Sequence, residues 1–275
     1  MHTDGFKPEI SIVIPVKDEP EKTIACMSSI RANTKIPYEI IWVDNGSTED
    51  SRRAIMVQAT RRKVHTKFIA LRNNLGFVKA TNAGIREAEN SSKYIVLLNN
   101  DTEVSYRWAS KLIRPMEKNA QIAAVGPVTQ SKISWQEAAN LNLRWNLKMP
   151  EWSPHTNNQV YSEMLEGGFK GRHLDVGALP LAFFAVALQR AAVERVGLLD
   201  ESFGIGLGDD DEYCYRLRAY GYQLHLSLDA FVFHHHRTTF RSLGLPVDKI
   251  RRHNIGVLRA KKHAVMEKIR AETLD

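Results

Sequence analysis

Four consecutive acids, Asp209, Asp210, Asp211 and Glu212, follow three alternating glycines, Gly204, Gly206 and Gly208, in the run GIGLGDDDEYCYRLRAYGY. Glycines so spaced can wrap a phosphate, but such a loop follows the first strand of a βαβ unit and sets the anion at a helix N-terminus. Four carboxylates would repel a pyrophosphate. One of them can act as a base that takes a proton from a hydroxyl within hydrogen-bond reach. The plainer alternative is that the acids only favour a helix start through the macrodipole, worth about 0.3–1 kcal/mol each. One or two would suffice for that.

A second candidate lies far upstream. Asn99-Asn100-Asp101 ends the apolar run YIVLL. Oxygen donors at 99 and 101 straddle a turn, from which both can reach a hard divalent cation and its bound phosphates. That spacing is short and common. His234, His235 and His236 close an alternating segment, so His234 and His236 share a strand face, and manganese accepts imidazole. A polar strand end is the plainer account of them.

These residues need a frame. The first half alternates β-branched runs with helical patterns, the mark of βαβ units and a mainly parallel sheet. Strands are expected at EISIVIPV (Glu9 to Val16), YEIIWVDNGS, KFIALRNN, KYIVLLNND and QIAAVGPV. Pro20 is placed to open the first helix. LGFVKATNAGIREAEN reads as another, with Lys79, Asn82 and Arg86 on one side, and a further helix carries Trp108 and Leu112. From about Gln130 to Leu174 the pattern fades into an irregular segment with Trp135, Trp145 and Trp152, either functional or mobile. LAFFAVALQR is expected as a strand, AAVERVG as a short helix ending at Gly197, and YQLHLSLDAFVFHHH as one or two strands.

In an open parallel sheet, ligands bind beyond the carboxyl ends of the strands. Those ends are polar here: Pro15-Val16-Lys17-Asp18, Asp44-Asn45-Gly46-Ser47, Arg72-Asn73-Asn74 and Asn99-Asn100-Asp101. Turns and helix caps use the same residue types. Four such clusters along one edge favour a polar ligand, and Asp44 could accept from the N–H of a pyrimidine ring.

The chain has 275 residues, 43% of them hydrophobic, and a formal charge of +7, which suits a globular protein with anionic partners. Cys26 and Cys214 show no zinc or disulfide spacing and are expected as buried thiols. No signal-peptide pattern opens the sequence, and the apolar run ALPLAFFAVAL is shorter than the ~20 residues a bilayer needs. The expectation is a cytoplasmic protein, soluble or peripheral at the inner membrane face.

Taken in order, SIVIPVKDE, IIWVDNGSTED, NLGFVKATNAGI, YIVLLNNDTEV and VGLLDESFGIGLGDDDEYCYRLRAYGY with AFVFHHH resemble the signatures of family 2 glycosyltransferases, in a rhamnosyltransferase-like subgroup. The resemblance runs from about Ile10 to Val128 and from Ala182 to Phe240. It implies an α/β GT-A fold with a mainly parallel, Rossmann-like central sheet, an inverting mechanism and a nucleotide-diphosphate sugar donor. Residues 1–245 would form the domain, with a donor half at about 9–128 and an acceptor and catalytic half at about 129–245, followed by a basic helical tail at 246–275.

Carried over by position, the resemblance assigns Pro15, Val16, Lys17, Asp18 and Asp44 to the base and ribose. Asn45, Arg72, Asn74, Gly76, Phe77, Asn82, Asn99 and Asn100 go to the donor pocket. Asn99-Asn100-Asp101 matches the DXD metal motif with a neutral first ligand, which implies weaker metal affinity than two carboxylates would give. His234, with His236, would complete the site for Mn²⁺ or Mg²⁺. Asp209-Asp210 replaces the family's Glu-Asp pair, with Asp210 as catalytic base and Asp209 or Asp211 as its alternates.

Chemistry asks for the same separation, since a base and a cation that neutralises the leaving diphosphate belong on opposite sides of the sugar. The expected acceptor is a saccharide, lipid-linked or protein-linked hydroxyl, in bacterial surface polysaccharide or glycoconjugate synthesis. A nucleotide-sugar-binding module without turnover is the alternative, and a nucleotide-binding oxidoreductase ranks below it. The basic tail would rest on an anionic membrane or, slightly preferred, pack as a solvated helix on the domain. No nucleic-acid module is recognisable.

Overall fold

A computed structural model describes residues 6–60, 64–131, 134–235 and 247–274. In chain order the elements are β1 (Ile10–Val16), α1 (Pro20–Asn33), β2 (Tyr38–Asn45), α2 (Glu49–Thr60), β3 (His65–Leu71), α3 (Phe77–Arg86), β4 (Tyr94–Leu98), β5 (Thr102–Val104), α4 (Trp108–Lys118) and β6 (Ile122–Val128). There follow α5 (Ala138–Trp145), α6 (Asn158–Phe169), β7 (His173–Asp175), β8 (Ala185–Gln189), α7 (Arg190–Val196), a 3₁₀ turn (Glu201–Phe203), α8 (Asp209–Ala219), β9 (Gln223–His234) and α9 (Val247–Leu274).

One sheet runs in the order β3-β2-β1-β4-β8-β6-β9-β5, with β7 also on β9. β1 to β4 are mutually parallel, and β6 is parallel to β9. β8 enters antiparallel between β4 and β6. The mainly parallel sheet is therefore present with an antiparallel insertion. The continuous apolar runs have their reason in burial on both faces: Val13 of β1 joins the core cluster on one side, while Ile10, Ile12 and Ile14 join the cluster on the other. Cys26 and Cys214 are buried free thiols, and burial pushes Cys26 up to about 12.

Two sequence expectations needed revision. The segment 130–174 is not irregular throughout, because it holds α5 and α6. Glu137 accepts from the N–H groups of Ala139 and Asn140, and Asn157 from that of Gln159, so each helix begins on a side-chain cap. The strand expected over LAFFAVALQR is confined to Ala185–Gln189. β9 is one long strand that changes register against β6 between Pro127 and Val128, which lets its end also pair with β5.

Candidate functional site

The strand tips form one edge. Pro15 and Val16 are buried at the end of β1, in register with Val43 and Asp44 of β2. Lys17 pairs with Asp18, and the Asp18 carboxylate also accepts from the Thr48 N–H at 2.8 Å. Asp44 is buried at 2% exposure; its carboxylate accepts from the Ser47 N–H at 3.0 Å and from Arg52 Nε at 2.5 Å. It thus closes the turn that leads into α2, without capping the helix itself, and Arg52 supplies its counter-charge.

Asn45 donates to Asn74 Oδ1 at 2.9 Å and to the Gly76 carbonyl at 3.1 Å, and it accepts from the Leu75 N–H at 2.8 Å. The Asn74 oxygen also accepts from the Gly76 N–H. These amides knit the β2 and β3 turns together. Arg72 is exposed at the end of β3. Asn82 is buried on α3, and its amide bonds both the carbonyl and the N–H of Leu199. Asn100 donates to Thr23 Oγ1 on α1. Asn82 and Asn100 therefore shape the frame from behind.

Asp101 and His234 meet. His234 Nε2 lies 3.2 Å from Asp101 Oδ1, and Asn99 Nδ2 lies 3.5 Å from the same imidazole nitrogen. Strand pairing is the cause, since Thr102 of β5 faces His234 of β9. Two residues that the sequence did not single out hold the histidine. Gln130 bonds its N–H and carbonyl at 3.1 and 2.8 Å, and Phe184 stacks on its ring at 4.9 Å between centroids. Among the described residues no group of three or more His, Cys, Asp or Glu side chains gathers for a metal. The donor set is one carboxylate, one imidazole and one amide, a chemistry that fits a Mn²⁺-like cation. His236 lies outside the described residues.

The acids open α8 with Gly208 as N-cap, and they divide by surroundings. Asp209 is buried beneath the loop before it; burial raises its carboxyl above the usual range, and the backbone N–H groups of Asp209, Asp210 and Leu207 oppose the rise. Asp211 is also raised by burial, with Lys262 of α9 acting against the shift. Asp210 is raised by burial first and then by the charges of Asp209 and Asp211. Glu212 is different: it forms a buried ion pair with Arg216 at 2.7 Å, and Arg216 also donates to the carbonyls of Val196 and Leu198. The fourth acid belongs to the scaffold.

Two contacts join the turn before α3 to the loop before α8. The Gly204 carbonyl sits against Gly76, and Phe77 opens α3 beside Gly206. The glycines therefore allow backbone to approach backbone. On the other side, Asp210 and Cys214 share a face of α8 at i and i+4. Cys214 Sγ accepts from the Leu181 N–H at 3.3 Å, three residues before Phe184, which covers His234. A short run of chain thus links the acids to the Asp101–His234 pair.

The sequence profile described as Glycosyl transferase family 2 matches residues 11–173. A hyaluronan synthase of Pasteurella multocida is 27% identical over 79% of this chain and 24% of its own length. The O-antigen biosynthesis protein RfbC of Myxococcus xanthus is 24% identical over 87% of this chain and 18% of its own length. The chain therefore spans a quarter or less of the length of these relatives.

Among solved structures, a mannosyltransferase of Pyrobaculum calidifontis in complex with GDP-Man and Mn²⁺ superposes with a TM-score of 0.59 at 16% identity, over 85% of this chain and 59% of that one. GalNAc-T7 with UDP, GalNAc and Mn²⁺ gives 0.60 at 15% identity, over 84% and 44%. These likenesses establish the GT-A fold. With the profile spanning more than half of its residues, the chain belongs to glycosyl transferase family 2.

Proposed function

We propose that this chain transfers a sugar from a nucleotide-diphosphate donor to a hydroxyl acceptor with inversion at the anomeric carbon. The observation that carries the reading is the meeting of Asp101 and His234 at 3.2 Å, linked through Phe184 and Leu181 to the acids of α8. The donor's base and ribose would lie along the β1 and β2 tips near Asp18 and Asp44, and its diphosphate beside Asp101. Asn99, Asp101 and His234 would hold a divalent cation, which when bound neutralises charge on the departing diphosphate. That neighbours of the same fold contain Mn²⁺ with GDP-Man or UDP supports the choice of ligand.

Asp210 takes the role of base. Asp209 is turned into its loop and Asp211 feels Lys262, while Asp210 is the acid whose charge weighs most on Cys214, the partner of Leu181. Ionised, it accepts the acceptor's hydroxyl proton while the oxygen attacks the anomeric carbon. The bond from that carbon to the diphosphate oxygen breaks on the opposite face, and its electron pair leaves with the diphosphate. Relatives that build hyaluronan and O-antigen favour an acceptor in a bacterial surface polysaccharide or glycoconjugate.

α9 leaves Lys249, Arg251, Arg252 and Arg259 exposed with Ile255 and Met266, a face suited to anionic lipid, while its other side packs on α8. No helix among the described residues is long and apolar enough to cross a membrane.

Asn99 in place of a carboxylate favours one second reading, a donor-binding module without turnover. A thermal-shift screen of nucleotide diphosphates and their sugars with and without Mn²⁺, followed by assays of donor hydrolysis and transfer, separates the two. A nucleotide sugar that binds but is turned over identically slowly by wild type and D210N sinks the enzyme reading.

A further inference from the structure

Asn254 stands on α9, far in sequence from the acids, yet it is buried at 4% exposure. Its side-chain amide donates to the carbonyls of Gly206 and Leu207, each at 2.9 Å. Those carbonyls lie in the loop that ends at Asp209. The loop cannot hold itself in a regular ladder, because φ is positive at Gly204, Gly206, Leu207 and Gly208, at 57°, 112°, 73° and 109°. Leu207 in that region is a strained position, which persists only where the surroundings over-determine it. Within the loop, Gly204 and Gly206 reach back to the carbonyls of Glu201 and Phe203. The outward carbonyls of 206 and 207 depend on Asn254, since a buried acceptor left alone is costly.

The helix that carries Asn254 is fastened on both sides of the loop. Lys261 pairs with Asp200 at 2.6 Å before it, and the Tyr215 hydroxyl donates to the Lys262 carbonyl at 3.4 Å after it. We propose that Asn254 is a positioning residue: by clamping the Gly206 and Leu207 carbonyls it sets where Asp209 and Asp210 stand against the Leu181 segment. α9 is then part of the working site and not only a basic tail. The inference rests on Asp210 as base.

The test uses the full chain with N254D, which is isosteric, removes both donors and sets a carboxylate against two carbonyls. N254S keeps one donor and serves if N254D does not fold. H253A, exposed on the same helix, is the control. Hydrogen exchange of the apo chain should quicken in N254D at residues 204–210 and stay unchanged in β1. Hydrolysis is then followed with Mn²⁺ and a panel of UDP-, GDP- and dTDP-sugars. Per donor site counted by calorimetry, kcat should fall about 10²-fold in N254D and less in N254S, with donor KM unchanged, as misplacement of a reacting group by about 1 Å predicts.

Unchanged exchange at 204–210, or faster exchange with wild-type kcat, overturns the proposal. D210N is assayed beside these variants. If D210N keeps wild-type hydrolysis, the assignment of the base fails, whatever Asn254 does.

Discussion

Gly76 and Gly204 touch backbone to backbone: a Cβ placed on Gly76 would lie 2.4 Å from the Gly204 carbonyl oxygen and 2.7 Å from its carbon. Gly76 also has a φ of 87°, a region that L side chains rarely adopt. The contact joins the turn before α3 to the loop before α8. G76A should therefore cost about 1–3 kcal/mol, read as a lower urea midpoint at unchanged slope. Any donor turnover should fall further than the loss of folded protein explains. A variant as stable and active as wild type would show that the two loops do not need this approach.

Asp210 should be indispensable. D210N is expected to lower transfer or donor hydrolysis by about 10²–10⁴-fold while leaving the affinity for UDP or GDP with Mn²⁺ unchanged. Stability should move the opposite way at high pH. Burial and the neighbouring carboxylates raise the Asp210 pKa in the fold above its unfolded value. Its protonated form thus stabilises the fold at low pH, and that contribution is lost as pH rises from the ordinary carboxylate range through the raised value. Thermal melts should show D210N gaining on wild type above the raised pKa and matching it in acid. A constant difference across that range would contradict the burial of this charge.

The candidate cation site can be weakened and strengthened. H234A should abolish the extra thermal stabilisation that Mn²⁺ gives in the presence of UDP or GDP. N99D, which restores a carboxylate at the first position, should tighten Mn²⁺ by at least several-fold, because a second negative ligand adds Coulomb attraction at short range. Titration of Mn²⁺ by calorimetry reads both. If N99D binds no tighter, position 99 does not face the ion.

Glu212 should behave as scaffold. With Arg216 held by two backbone carbonyls, E212A leaves a buried guanidinium without its carboxylate and should cost about 3–5 kcal/mol. Measured by denaturant unfolding and then by turnover per folded molecule, it should lose stability and keep its chemistry. A stable E212A without activity would move Glu212 into the site.

Much of the frame was legible from local pattern. β1, β2, β3, β4 and β6 are apolar or β-branched runs of the right length, and Pro20 and Gly197 mark a helix start and a helix end by fixing or freeing φ. The α5 and α6 helices were harder to see, being short, rich in Asn or interrupted by Gly167 and Gly168, which lowers their intrinsic helix preference. Their caps at Glu137 and Asn157 were the signal available. Phe184 and Gln130 had none, since one is lost in an apolar run and the other sits at a strand end among ordinary polar residues.

By itself the sequence determined which residue types stand at the strand ends and that four acids open a helix, because period and turn chemistry are local properties of the chain. It did not determine how those acids differ. Only the tertiary structure decided that Glu212 is spent on Arg216, that Asp209 turns into its loop, that Asp211 faces Lys262, and that Asp101 meets His234 across β5 and β9. Burial and charge set such distinctions: His234 lies 133 residues from Asp101 and Lys262 lies 51 from Asp211, and even the i, i+4 pair of Glu212 with Arg216 is fixed by the bonds of Arg216 to the Val196 and Leu198 carbonyls.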